Sequence, residues 1–285
     1  MRYEAPETLE AAISLLREGG SSTKILAGGT DLLVQLKTDL ISPDVVVDIK
    51  KIDETRTITE EAGGFRVGAA VSAAELNEHD GFKATWPGVT EAAWLIGSTQ
   101  IMGRASLGGN LCNGSPAADS VPAMIAAGAI AKIAGPDGQR EIPVEDVVVG
   151  PRQLSLKPGE FVVSFLFPKQ PEHTSDAYLR FIPRTEMDIA VVGCGVRITR
   201  DGDGTITDAR VSLGAVAAKP LLVPEAAAAI IGTKLDEAAL EKLDAAAQAA
   251  CSPINDKRGT IEFRTKVAGV MARRTAENAY ERAGA

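Results

Sequence analysis

Residues 8–16, TLEAAISLL, set Leu9, Ala12, Ile13 and Leu16 at helical spacing, and Gly19-Gly20 stops that helix. Lys24–Ala27 then reads as a short buried strand, Asp31–Leu40 as a second amphipathic helix, and PDVVVDI (43–49) as a strand rich in β-branched residues. Roughly the first 55 residues therefore predict an α-β-α-β unit with parallel strands. Past Arg56, FRVGAAV reads as a strand and SAAEL (72–76) opens a helix with Ser72 and Glu75 as a capping box. PAMIAAGAIA is helical with Pro122 in its first turn. AIAKIAG and QREIPV flank the turn Pro136-Asp137-Gly138, and EFVVSFLF is a further strand ending at Pro168.

The polar segment KQPEHTSD (169–176) interrupts this pattern and reads as a boundary. Beyond it, DIAVVGCGVRIT and ITDARVSLGAV flank DGDGT as a hairpin. The remainder is helical: 225–231, 236–250, and a last helix from about 260 to 282 with Phe263, Val267, Val270 and Met271 on one face. No 20–50-residue repeat occurs. The pattern predicts an α+β chain in three parts, 1–56, 57–172 and 173–285.

Composition narrows the function classes. The chain has 285 residues, 45% hydrophobic and 24% charged, as a soluble globular protein would. A net charge of −8 argues against nucleic acid as a partner. Cys112, Cys194 and Cys251 lie far apart without a CxxC, so no zinc or iron–sulfur site is readable, and sparse thiols fit a reducing, cytoplasmic setting. MRYEAPETLEAA is acidic and lacks the apolar core of a secretory signal. VPAMIAAGAIA falls short of the roughly 20 residues a spanning helix needs, so no membrane insertion is expected.

Two glycine clusters carry the candidate chemistry. In ILAGGTDLLVQLK (25–37), Gly28-Gly29-Thr30 separates a strand from a helix that begins at Asp31. Backbone amides in such a turn point outward, the helix dipole adds partial positive charge, and the missing Cβ lets a phosphate oxygen approach. From this stretch alone a plain turn capped by Thr30 or Asp31 is the stronger reading, because short glycine turns are common. The second cluster, GSTQIMGRASLGGNLCNGSPAADS (97–120), is a long, weakly charged passage inside a folded region. Ala105–Asn110 offers hydroxyl, amide and backbone donors in a row, and Asp119 either caps the next helix or accepts from ribose hydroxyls. Two such clusters suggest a dinucleotide held from both sides, and their spacing is not that of a GxGxxG fingerprint.

AGGTDLL together with ASLGGNLCNGSPAADS resembles the paired FAD-binding motifs of the flavin-carrying medium subunits of molybdenum hydroxylases, the carbon monoxide dehydrogenase and xanthine dehydrogenase family. RTEMDIAVVG (184–193) resembles a third segment of that family, a loop near the flavin ring. The resemblance implies two FAD-binding subdomains of the vanillyl-alcohol oxidase type, 1–56 and 57–172, followed by a small α+β C-terminal domain. It implies that Ala27, Gly28, Gly29, Thr30, Asp31 and Leu32 line the FAD diphosphate from one side. Ser106, Gly108, Gly109 and Asn110 would hold it from the other, with Asp119 near the adenosine end. Val163 and Arg180 match positions that approach the cofactor, and Ile96 stands where longer relatives carry an aromatic beside the flavin. The implied partners are a large molybdopterin-binding subunit and a small [2Fe–2S] subunit. The implied role is electron transfer to NAD⁺, oxygen or a quinone-linked acceptor. A stand-alone flavin reductase or oxidase of the same fold is the alternative. No residue here is assigned as a catalytic acid or base.

The remaining signals read as structure. DGDGT lacks the glycine position of a calcium loop, and Gly193-Cys194-Gly195 reads as close strand packing. His79 and His173 read as surface residues, and Cys112 as a small buried thiol. Arg184–Asp188 reads either as a solvated turn with an Arg184–Asp188 pair or, by resemblance, as a charged border of the flavin.

Overall fold

The chain opens with a strand, which its sequence pattern conceals: β1 (Arg2–Glu4) is three residues long and shows no apolar alternation. The computed structural model describes residues 1–184 and 187–285, with Ser21 described by its backbone alone. After β1 come α1 (Leu9–Gly19), β2 (Thr23–Leu26), α2 (Leu32–Lys37) and β3 (Val45–Asp48). The strands form a wholly parallel sheet in the order β1-β3-β2, as the first unit predicts. Thr8 caps α1, and the helix lays Leu9, Ala12 and Leu16 against Val45, Val47 and Ile49. Because the strands are parallel, their carboxyl ends share one edge, where ligands of open α/β sheets collect. The predicted helix 31–40 is shorter than expected. It buries none of its residues and leaves Leu33 and Val34 exposed.

A second sheet is antiparallel, in the order β4-β5-β10-β6-β7. It is built from β4 (Ile58–Glu61) and β5 (Gly64–Gly68), then, beyond five helices, from β6 (Ile130–Gly135), β7 (Gly138–Pro143) and β10 (Phe161–Pro168). Those helices are α3 (Ala73–Glu78), α4 (Asp80–Thr85), α5 (Pro87–Trp94), α6 (Leu107–Cys112) and α7 (Ser120–Ala127); a small ladder, β8 (Val148–Gly150) with β9 (Gln153–Leu154), precedes β10. Ser72 and Glu75 form the expected capping box at α3. Central β10 serves two cores. Phe161 and Val163 meet α1, whereas Val162, Phe165 and Phe167 join the helices. A bulge between Val162 and Ser164 shifts the register and so puts Val162 and Phe165 on one side.

The third sheet, β11 (Thr174–Phe181), β12 (Val192–Arg200), β13 (Ile206–Gly214) and β14 (Leu221–Leu222), is also antiparallel; β11 starts inside the polar segment that reads as a boundary. Asp201 Oδ1 accepts from the Asp203 and Thr205 amides and closes the predicted hairpin between β12 and β13. Then follow α8 (Pro224–Ile230), α9 (Glu237–Ala249) and α10 (Ile261–Arg282). A Cβ on Gly195 would lie 2.6 Å from the Pro122 carbonyl oxygen, so the strand glycine does admit close packing, here of α7. The face that α10 buries is only partly the predicted one, since Met271 and half-buried Val267 do pack on the core. Ala268, Ala272, Ala276 and Ala279 press on the sheet with Met271 and Arg264, while Phe263 is exposed and meets Phe181 edge-on. Among the described residues no helix is long and apolar enough to cross a membrane.

Candidate cofactor site

The first glycine turn leaves β2 at the carboxyl edge of the parallel sheet. The Ala27 carbonyl accepts from Lys50 Nζ at 2.8 Å. Among the described residues, the amides of Gly28, Gly29, Thr30 and Asp31 donate to no protein acceptor. Both glycines are demanded by the backbone itself: Gly29 sits at φ +83°, and a Cβ on Gly28 would stand 1.8 Å from the Arg104 carbonyl oxygen. The Asp31 side chain makes no capping bond.

The second cluster folds differently from the row of bare donors that its sequence suggests. Ser106 caps α6, its Oγ accepting from the Gly109 amide at 3.1 Å. The Gly108 amide donates to Ala69 O at 3.1 Å, and a Cβ there would lie 2.5 Å from that oxygen. Two glycine amides are thus already bonded. Gly109 is the freest of them; a Cβ there would meet no backbone, only Ser106 Oγ, closely, at 3.2 Å. Asn110 Oδ1 accepts from Ser120 N and Oγ at 3.0 and 2.7 Å, which caps α7 and leaves the Asn110 Nδ2 donors over.

The two loops touch where Gly28 meets Arg104, and both line a cavity of about 570 Å³, within the usual size range of ligand pockets. Ala27, Gly28, Gly29, Thr30, Asp31, Leu32, Ile96, Ser106, Gly108, Gly109 and Asn110 all line it. Asp119, Val163 and Arg180 do not. The Val163 carbonyl holds the Ala69 amide at 2.9 Å, behind the point where Gly108 docks. Arg180 Nη1 donates to Asp119 Oδ1 at 2.9 Å and to the Leu95 carbonyl at 2.8 Å, so this buried pair braces the turn into Ile96 from behind. Burial pushes the Asp119 carboxyl up to about 6, with Arg180 pulling the other way.

Sequence reasoning missed several wall residues, including Thr23, Lys24, Asn113, Arg152 and Glu160. No local motif marks them; they converge from separate segments. Arg152 adopts φ +58°, and Thr23 Oγ1 is buried without a partner among the described residues. Lys24 and Arg152 are offset by Asp31 and Glu160, so amides rather than a surplus of cations would receive an anion here. Cys112 is also on the wall, only half-buried, and burial pushes its thiol up to about 12, which keeps it neutral. His79 is half-buried and caps α4 through Nδ1, whereas His173 is exposed.

The 184–188 segment lies nearby, with Thr185 and Glu186 outside the described residues. Arg184 and Asp188 do pair, at 3.2 Å, and Arg258 adds a second guanidinium at 3.3 Å; together they hold the Asp188 carboxyl well below the usual range. Met187 Sδ lies 3.8 Å from where a Gly97 Cβ would stand, beside Ile96.

Residues 1–170 match the FAD-binding domain of molybdopterin dehydrogenases, and residues 177–279 match the C-terminal domain of CO dehydrogenase flavoprotein. The chain belongs to this family. It is 35% identical over 281 residues to the carbon monoxide dehydrogenase medium chain of Afipia carboxidovorans, covering 99% of this chain and 97% of that one. It is 32% identical over 284 residues to the xanthine dehydrogenase FAD-binding subunit of Escherichia coli O157:H7, again covering 99% and 97%. A crystal structure of Cu,Mo-CO dehydrogenase in its cyanide-inactivated form contains a chain that superposes with a TM-score of 0.95 at 34% identity, covering 99% and 98%. The chain is therefore an FAD-binding medium subunit of the molybdenum hydroxylase family, an oxidoreductase component with an FAD-binding domain and a flavoprotein C-terminal domain. Its residues fit that cofactor. Four amides without protein acceptors, Gly109 and the orphaned Thr23 hydroxyl belong to residues lining the cavity.

Proposed function

We propose that this chain holds FAD between the 27–32 and 106–110 loops and works as the electron-transfer subunit of a three-subunit complex. The observation that carries the reading is the row of amides at Gly28–Asp31, without protein acceptors among the described residues, on the wall of a cavity that Gly109 also lines. Bound there, FAD would supply a redox centre suited to passing electrons from the [2Fe–2S] clusters of a small partner subunit to NAD⁺, oxygen or a quinone-linked acceptor. A large molybdopterin-binding partner would oxidise the organic substrate. The chain's own residues do the rest: the 28–31 amides bind the diphosphate, Asn110 Nδ2 and the Ser106 hydroxyl add donors, and Arg180 with Asp119 fixes the Ile96 turn. Segments 1–56, 57–172 and 173–285 are the working units, and the complex is cytoplasmic.

Gly109→Val tests the site, because Gly109 lines the cavity and a Cβ there would meet no backbone, only the Ser106 hydroxyl. After FAD addition and desalting, the wild-type chain should retain close to one flavin by visible absorption. The variant should keep its circular dichroism and lose the flavin. Equal retention would overturn the assignment. Co-purification of molybdenum- and iron-containing subunits tests the partners, and reoxidation of the reduced complex by NAD⁺ or by oxygen identifies the acceptor.

A further inference from the structure

A lysine that does not line the cavity grips the loop that does. Lys50 Nζ donates to Ala27 O at 2.8 Å and to Asp48 Oδ1 at 2.7 Å. Asp48 is itself held: its Oδ1 accepts from the Lys50 amide at 3.0 Å and its Oδ2 from the Tyr3 hydroxyl at 2.6 Å. All three residues are placed by the parallel sheet. Asp48 ends β3 directly opposite Leu26, so the ammonium arrives level with the first peptide beyond β2. Tyr3 comes from β1 on the other flank of β3.

Two consequences follow for the glycine turn. In a trans peptide the C=O and N–H point in opposite directions, and none of the described peptides is cis. With Ala27 O pinned to Lys50, the Gly28 N–H must point away from Lys50, and Gly28 is on the cavity wall. The ammonium also polarises the Ala27–Gly28 peptide, which strengthens the amide as a donor. The turn carries no cation of its own, only Asp31.

We propose that Lys50 is a positioning residue for the diphosphate of the cofactor: through Ala27 it sets the direction and donor strength of the Gly28 amide, and it places a positive charge behind the loop. The inference rests on the reading of this loop as the diphosphate site. Lys50 could instead serve only to tie β2 to β3, and the two roles separate experimentally, since a tie changes stability without changing the phosphorus environment.

The test uses the full chain with Lys50→Met, Lys50→Gln and Lys50→Arg, reading the FAD dissociation constant, the ³¹P resonances of bound FAD and the melting of the apoprotein. Loss of a charge-assisted hydrogen bond should weaken FAD about tenfold to a hundredfold in Lys50→Met, move its bound ³¹P resonances, and be largely rescued in Lys50→Arg. Wild-type affinity and unchanged resonances in Lys50→Met would overturn the positioning role and leave the diphosphate site standing. If Lys50→Met does not fold, Lys50→Gln against Lys50→Arg decides the charge, because both donate and only arginine keeps it: equal affinity overturns the charge behind the loop, and wild-type ³¹P resonances and affinity in both overturn the positioning role as a whole. A wild-type chain whose bound FAD shows the ³¹P resonances of free FAD would instead sink the underlying site reading.

Discussion

Adjacent glycines in a sequence do not say what they are for, and this chain holds three different answers. Gly28 is required because the first loop crosses the second at Arg104; a methyl at 1.8 Å from a carbonyl oxygen cannot be accommodated without moving backbone. Gly28→Ala should therefore destabilise the apoprotein by about 1–3 kcal/mol, read as a lower urea midpoint, whether or not flavin is present. Gly29, at φ +83°, would confound a binding test in the same way. Gly109 needs no positive φ and a Cβ there meets no backbone, only the Ser106 cap hydroxyl at 3.2 Å, so Gly109→Ala should move stability by less than about 1 kcal/mol while weakening FAD. Lost stability with full flavin retention in Gly109→Ala would reverse these assignments. The sequence singles out the loops because glycine clustering is local. It is silent about Lys50, Thr23 and Arg152, whose places depend on register and on a chain reversal far away.

At the scale of elements, periodicity predicts helices well where they bury bulk and poorly where they bury little. The 31–40 pattern looks amphipathic, yet α2 covers no core, and α10 turns its alanines rather than Phe263 to the sheet because that helix seats against the strands on its smallest residues. The capping box at Ser72 was legible because it is a four-residue code. The cap of α7 was not: its acceptor is Asn110, ten residues upstream, and the same side chain lines the cavity. This double duty yields a separable prediction. Asn110→Asp keeps a capping oxygen for Ser120 N and Oγ, so apoprotein melting should stay within about 1 kcal/mol of wild type. The change also replaces the cavity-side amide donors with negative charge, so FAD affinity should fall at least about tenfold. Thermal melts beside a flavin titration check both halves. Retained affinity would mean that Asn110 serves only the helix.

At the scale of the whole molecule, the flavoprotein C-terminal domain is joined to the FAD-binding domain through charge that no sequence window contains. Asp176 on β11 is buried, and its carboxylate oxygens accept from the Gly88 and Val89 amides at the start of α5, at 2.9 and 3.0 Å. Arg282 at the end of α10 donates to the Asp176 carbonyl and pairs with Glu91 on α5. Burial pushes the Asp176 carboxyl from 3.8 up to about 7; the two amides and Arg282 oppose that shift, and Glu91 adds to it. Asp119 moves in the same direction, to about 6, also through burial. A raised carboxyl binds a proton in the folded state that the unfolded chain has already lost, so stability falls as pH rises between the two values. For Asp176 that window runs from about 4 to 7. The paired carboxylates Asp48, Glu75 and Glu160 are shifted down, by partner hydrogen bonds that outweigh burial, and their contributions are lost only as pH falls toward and below the ordinary carboxylate range. Among the carboxyls that burial raises, Asp176, Asp119 and Asp31, Asp176 is pushed furthest, so it contributes most of the slope between pH 5 and 7. Asp176→Asn, neutral at every pH and short of one acceptor, should be less stable than wild type at pH 5, and the gap should narrow steadily toward pH 8. Urea midpoints across that range measure it. A gap that does not change with pH would mean that the Gly88 and Val89 amides hold Asp176 ionised throughout, and that the seam between the two domains is closed by a charge rather than by a proton.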